Sequence, residues 1–301
     1  MNRQKSKMDW MAEQHLQNKA GQTADELIAR LQMQPPIDPL KVAETEKQLL
    51  RTGGSDLGSR YDGKLEYVRS KGLFLLFYNT KYDAGMPDGE HHPRTRFSFS
   101  HELGHFFIDH HHQSLRSGAR PHRSVNEFRS HHQVEREADA FAASLLMPTQ
   151  FAKPVVNEGE LSMDRIEEIS RHFCVSMISA SIRSVRLSDF PCALAGIRDG
   201  QVAWMFASDA LVEAGIYPNR GFLPENAKQS WEDMHAGGVD RSDGEGQVSD
   251  WFRTFGKDEL DEVWVGEEYH PVPVMDTLLT LLTVDENDLA GGDDDDSDEV
   301  D

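Results

Sequence analysis

Basic residues are scarce in this chain: 31 lysines and arginines stand against 52 aspartates and glutamates, a formal net charge of −21 over 301 residues. Affinity for duplex nucleic acid rests largely on neutralising phosphates, so tight, unassisted DNA binding is not expected of it. Cysteine is scarcer still. Cys174 and Cys192 are the only two and there is no C-x-x-C pair, which excludes a disulfide framework and fits a reduced, cytoplasmic setting. Long apolar runs are missing as well. With 38% hydrophobic residues, no stretch is long enough to cross a bilayer, and the opening Met1-Asn2-Arg3-Gln4-Lys5-Ser6-Lys7 leads into no signal-peptide core. The acid is unevenly spread. Ten acidic residues and no basic one lie between Asp285 and Asp301, so residues 286–301 read as a disordered acidic tail.

Histidine, by contrast, is concentrated: ten of the fourteen lie between His91 and His132. Within that stretch, Phe97-Ser98-Phe99-Ser100-His101-Glu102-Leu103-Gly104-His105-Phe106-Phe107 contains an H-E-x-x-H motif. On a helix His101 and His105 project from nearly the same side, one turn apart, and can bond one metal ion. Glu102 lies between them and can reach a water on that ion without becoming a ligand. This is the arrangement of a zinc peptidase, in which the metal polarises the scissile carbonyl and the glutamate takes the proton from water. Phe99, Leu103, Phe106 and Phe107 on one face, with Phe97 and Ile108 on the other, predict a buried helix, and buried histidines need partners. The following His110-His111-His112 cannot all converge on one ion, because helical neighbours point about a third of a turn apart. They read as the polar end of the same helix, and residues 113–133 as a polar loop.

Thirty residues further on, Val134 to Pro148 predicts a second helix, with Val134, Ala138, Phe141, Ala142 and Leu145 as its apolar stripe. Glu135 and Asp139, four apart, share a face. Glu135 suits a third ligand, since two histidines and one carboxylate leave the fourth position open for water. Asp139 suits an acceptor for the free ring N–H of a ligating histidine. Glu137 reads as surface charge. The segments R-x-R-F-S-F-S-H-E-L-G-H-F at Arg94–Phe106 and E-R-E-A-D-A-F-A-A-S-L-L-M-P at Glu135–Pro148 resemble the ImmA/IrrE family of zinc metallopeptidases. The resemblance implies a zincin-like α+β core, with His101, His105 and Glu135 as metal ligands and Glu102 as the catalytic base. That family more often has Asn where this chain has Asp139. Tyr67, Tyr78, Tyr82 and His132 stay open as stabilisers of the oxyanion.

Four regions are expected: a polar N-terminal segment at 1–20, a zinc metallopeptidase domain of helices and a small mixed sheet with trailing helices at 21–188, a smaller C-terminal α+β domain at 189–285, and the tail. Thr23-Ala24-Asp25-Glu26 predicts a capping box opening a helix that Pro35-Pro36 ends. Asp38-Pro39 opens a second helix through about Leu50, closed by Gly53-Gly54. Leu65–Val68 and Leu73–Tyr78 predict strands around a Ser70-Lys71-Gly72 turn. Ile166 to Leu187 has the shape of a helix-turn-helix, although Arg183 and Arg186 are few for a phosphate-binding face. Ala193–Ile197 and Val202–Phe206 predict a hairpin turning at Asp199-Gly200. Asp240–Asp250 reads as an exposed insertion, and Met275–Leu282 as a helix or strand burying Leu278, Leu279 and Leu282.

For function, the resemblance implies an endopeptidase of narrow specificity holding one Zn2+, with Mn2+ as the alternative ion. Its expected partner is a protein substrate, a DNA-binding repressor whose cleavage relieves transcriptional repression, as in a stress response. Two other readings are a non-catalytic metal-containing module that controls a regulator by association, and a DNA-binding regulator acting through residues 166–187.

Overall fold

The computed structural model describes residues 7–119, 123–124, 133–238 and 240–289, and its class is α+β, as expected. The chain clusters into two compact units, Met1–Phe151 with Ser170–Ser176, and Ala152–Ile169 with Met177–Asp301.

The chain begins with helices α1 (Lys7–Leu31) and α2 (Pro39–Glu44) and strands β1 (Leu50–Ser55), β2 (Gly63–Val68) and β3 (Leu73–Asn79). Helices α3 (Pro93–Phe107) and α4 (Asp109–Ser117), strand β4 (Arg123–Ser124) and helix α5 (Gln133–Leu146) follow. The four strands form one sheet in the order β1-β3-β2-β4, with β1 parallel to β3 and the other pairs antiparallel. Period-two patterning in β3 turns Phe74, Leu76 and Tyr78 inward. There they join Phe99, Leu103 and Phe106 of α3, Phe141 and Leu145 of α5, and Ile28 of α1 in one core. α3 thus lies between the sheet and α5, and α5 packs in turn on α1.

Three local expectations are corrected. α1 runs unbroken through Thr23, whose hydroxyl donates back to the Lys19 carbonyl rather than capping a new helix. Asp25 instead receives the backbone N–H and hydroxyl of Thr149 at 2.8 and 2.5 Å. α2 stops at Glu44, and Gly53-Gly54 lies in β1, a strand the sequence reading missed. A Cβ on Gly54 would stand 2.5 Å from Cζ of Tyr78, its register partner, so glycine there makes room for the ring. Finally, α3 ends where Ile108 turns extended, and the triple histidine belongs to a separate helix, α4. His112 leaves the other two: its Nδ1–H donates to the Phe106 carbonyl at 2.8 Å and its ring packs on Phe74.

The rest of the chain continues as α6 (Thr149–Val156), α7 (Met163–Phe173), α8 (Met177–Leu187), β5 (Cys192–Arg198), β6 (Gln201–Ala207), α9 (Asp209–Glu213) and β7 (Tyr217–Pro218). It closes with α10 (Glu225–His235), β8 (Ser242–Gln247), α11 (Val248–Trp251), β9 (Phe252–Arg253), β10 (Trp264–Val272), β11 (Thr277–Thr283) and α12 (Glu286–Leu289). A five-stranded antiparallel sheet, β6-β5-β11-β10-β8, organises the second unit. β11 is central and buried on both faces, so Met275–Leu282 carries no alternation to read. The β5–β6 hairpin turns at Asp199 and Gly200, both with positive φ. Asp240–Asp250 is an exposed edge strand and a short helix rather than an insertion. Its Gly244 and Gly246 admit the buried Glu267 carboxylate, which accepts from Trp251, Tyr269 and Asn226. α8 packs on β5 and β6, its Ile178, Ala180 and Val185 are buried, and the Arg186 guanidinium lies 4.9 Å over the Phe206 ring. His132 lies outside the described residues, as do residues 290–301 of the acidic tail expected from 286; Glu286–Leu289 of that tail form α12.

The crossing of α3 and α5 turns on Gly104. A Cβ there would lie 3.1 Å from the Ala138 Cα and 3.2 Å from its carbonyl oxygen, both backbone atoms that cannot swing away. Gly104→Val is expected to wedge the helices apart at a cost of about 1–3 kcal/mol, which outweighs its gain in helix propensity. Thermal denaturation should show a melting temperature lowered by several degrees; an unchanged one contradicts the close-crossing account.

Candidate metal centre

α3 starts cleanly because Pro93 occupies its first turn and the His92 ring accepts the Arg94 N–H. The Arg94 guanidinium donates to the buried Asp62 at 2.9 Å, which ties the entry of β2 to the head of the helix. Two turns on, His101, Glu102 and His105 are 2%, 0% and 0% exposed. Opposite them stand Glu135 and Asp139, in the first half of α5.

The donor atoms converge. His101 Nε2 is 3.2 Å from His105 Nε2 and 3.2 Å from Glu135 Oε2, and His105 Nε2 is 3.7 Å from Glu135 Oε1. A tetrahedral zinc with bonds of 2.0–2.1 Å separates its donors by about 3.3 Å. Two imidazole nitrogens and a carboxylate oxygen at this spacing therefore can hold one divalent ion, and three donors leave the fourth tetrahedral position to another ligand. On the far side of the rings, His101 Nδ1 meets Asp139 Oδ1 at 2.8 Å. His105 Nδ1 meets His111 Nδ1 at 3.2 Å.

Glu102 is packed against β2. A Cβ on Gly63 would stand 2.7 Å from Glu102 Cγ and 2.8 Å from Oε1, so a bare glycine at the head of β2 sets where the carboxylate sits. Among the residues left open for the oxyanion, the Tyr82 hydroxyl donates to Asp62, the neighbour of Gly63. Tyr67 packs on Phe74, and Tyr78 edge-on to Phe99 and His91.

Sequence reasoning missed two residues here. Glu137, expected to be surface charge, is 2% exposed, because position 137 falls three after Val134 and four before Phe141, inside the buried stripe of α5. Its carboxylate accepts from Gln133 at 3.0 Å and lies 2.8 Å from His110 Nε2 and 3.3 Å from His111 Nε2. His111, 3% exposed, stands between that carboxylate and His105. An acid in the middle of an apolar stripe was the available signal.

Burial alone would push the His101 imidazolium down, but hydrogen bonds to the Asp139 and Glu135 carboxylates, with the charges of Asp139 and Glu102, carry it up to about 10. The value is raised above the ordinary 6.5, so in the metal-free chain this pairing stabilises fully below that pH and is lost as pH rises through about 10. A metal ion needs the neutral ring. Loading a divalent ion at pH 7 should thus expel one proton from His101, measurable by calorimetry in buffers of differing ionisation enthalpy; uptake with no proton release contradicts this electrostatic picture.

No curated protein matches the chain significantly. A solved structure, a Mycobacterium tuberculosis transcriptional regulator, is similar at a TM-score of 0.55 and 12% identity, over 94% of this chain and 94% of that one, a likeness of fold. Residues 87–184 match the Peptidase_M78 family model, the IrrE N-terminal-like domain, and that span includes both α3 and α5. Residues 87–184 therefore form a metallopeptidase-type, IrrE N-terminal-like domain, and its α+β fold is zincin-like.

Proposed function

We propose that this protein is a zinc-dependent endopeptidase of narrow specificity, acting in the cytoplasm on a DNA-binding transcriptional repressor. The observation that carries the proposal is the triangle of His101, His105 and Glu135 donors with Glu102 beside it and outside it. A purely structural zinc site uses four protein ligands and needs no neighbouring base. The repressor as substrate rests on the family resemblance, and the protein's acidic charge suits a basic partner by speeding encounter.

A zinc ion bound to the triangle supplies Lewis acidity towards water and the scissile carbonyl. Around it the side chains divide the work. Glu102, positioned by its contact with Gly63, takes the proton from the attacking water and returns it to the leaving amine. Asp139 accepts the Nδ1–H of His101 and keeps its Nε2 lone pair directed at the ion. His105 pairs through its Nδ1 with His111 Nδ1, and the far nitrogen of His111, Nε2, lies 3.3 Å from Glu137 Oε2. Each ligating ring is thereby held in one tautomer and one orientation. The packing of α8 on its sheet and the Arg186–Phe206 contact favour proteolysis over direct DNA reading by residues 166–187.

Glu102→Gln is expected to retain zinc at wild-type stoichiometry and lose at least 100-fold in cleavage of the repressor encoded nearest the gene. A discrete product from wild type with metal, and none from the variant, supports the enzyme. Stable binding of the repressor by both proteins without cleavage points to the non-catalytic module. Gly63→Ala should displace Glu102 and reduce turnover at least tenfold with zinc still bound. Wild-type turnover in Gly63→Ala contradicts the positioning assigned to that contact.

A further inference from the structure

The cluster behind the first site has a composition of its own. Glu137 Oε2 lies 2.8 Å from His110 Nε2 and 3.3 Å from His111 Nε2, and one donor atom from each of the three residues lies within 4.8 Å of the others. The His111–Glu137 separation equals an edge of a tetrahedral ion, about 3.3 Å, and the His110–Glu137 separation is half an ångström shorter. The three converge although His110 and His111 are neighbours, because both lie in the first turn of α4, which restarts at Ile108, and face Glu137 across from α5. Glu137 and His111 are 2% and 3% exposed, so a carboxylate is held out of water between imidazoles, an arrangement a cation relieves. The His110 side chain is 59% exposed and gives an ion its way in.

We propose that His110, His111 and Glu137 form a second divalent-cation site, weaker than the first and antagonistic to it. A histidine that ligates through Nε2 keeps its proton at Nδ1. With only the first site filled, His105 donates its Nδ1–H to the bare Nδ1 of His111. Filling the second site through His111 Nε2 moves the His111 proton to Nδ1, where two N–H groups then face each other across 3.2 Å. His105 loses its acceptor and the two ions oppose each other. Excess zinc or another transition-metal ion would thus act as an inhibitor. The existence of the second site does not depend on the metallopeptidase reading; only the antagonism does, since it takes His105 as a ligand.

The test is a titration of the metal-free, full-length chain with Zn2+ against a chromophoric chelator, and with Co2+ by visible absorption. Wild type should take up two equivalents, the second at least tenfold more weakly. His110→Ala, at an exposed position, and Glu137→Gln should each take up one, with a melting temperature for His110→Ala equal to that of wild type. His101→Ala should lose the tight equivalent and keep the other, so a failed first site and a failed second site give different results. In wild type the Co2+ bands of the first equivalent should shift as the second binds. A single equivalent in wild type, or a second one that persists in both His110→Ala and Glu137→Gln, overturns the site. Two equivalents with no spectral change in the first overturn the antagonism.

Discussion

Two helices can bring side-chain donors to one point only if their axes come close, and α3 and α5 do so because residue 104 has no side chain. Gly104 costs α3 about 1 kcal/mol in helix propensity relative to alanine. In return, the Ala138 backbone and the Phe141 Cβ approach to where a methyl group would stand. His101 and His105 flank Gly104 by three residues and by one, and Glu135 and Asp139 flank Ala138 likewise, so the contact sets the separation of the donors on either side of it. Gly63 plays the corresponding part on the other side of α3, where the sheet is close enough to fix Glu102. The site is a sandwich in which glycine marks each tight layer.

Electrostatics follow from that closeness. The buried imidazoles of α3 would be costly alone, and the carboxylates that compensate them come from α5: Glu135 and Asp139 for His101, and Glu137 through His111 for His105. Glu102 is the exception, an acid on the histidine helix itself, buried and packed against Gly63 of β2. Four carboxylates near three rings leave an excess of negative charge that a divalent ion neutralises. The same logic applied to His110, His111 and Glu137 is what makes a second ion chemically reasonable on the far side of His111 from His105.

Much of this was legible in the chain and some was not, for physical reasons. The H-E-x-x-H spacing, the four-residue interval of Glu135 and Asp139, the β2–β3 hairpin and the β5–β6 turn are local patterns, set by 3.6- or two-residue periods and by turn chemistry. β1 was lost because its glycines serve a neighbouring strand: Gly54 answers to Tyr78, twenty-four positions away, and no local rule distinguishes it from a helix stop. β8 was lost for the same reason, its glycines answering to Glu267. Thr23 fits a capping box in isolation, but tertiary packing of α1 on α5 carries the helix through it. Glu137 was misread because charge outweighed position, although its place in the stripe was visible. The break at Ile108, which separates the triple histidine from the metal helix, has no glycine or proline to announce it.

The account stands on α3 and α5 holding one ion with an open position. The direct measurement is a crystal structure of the chain loaded with one equivalent of zinc, with anomalous scattering recorded at the zinc edge. The account predicts a single anomalous peak bonded to His101 Nε2, His105 Nε2 and a Glu135 oxygen, with a fourth ligand that is not protein and with Glu102 unbonded to the metal. A peak elsewhere, or a closed shell of four protein ligands that includes Glu102, would contradict it.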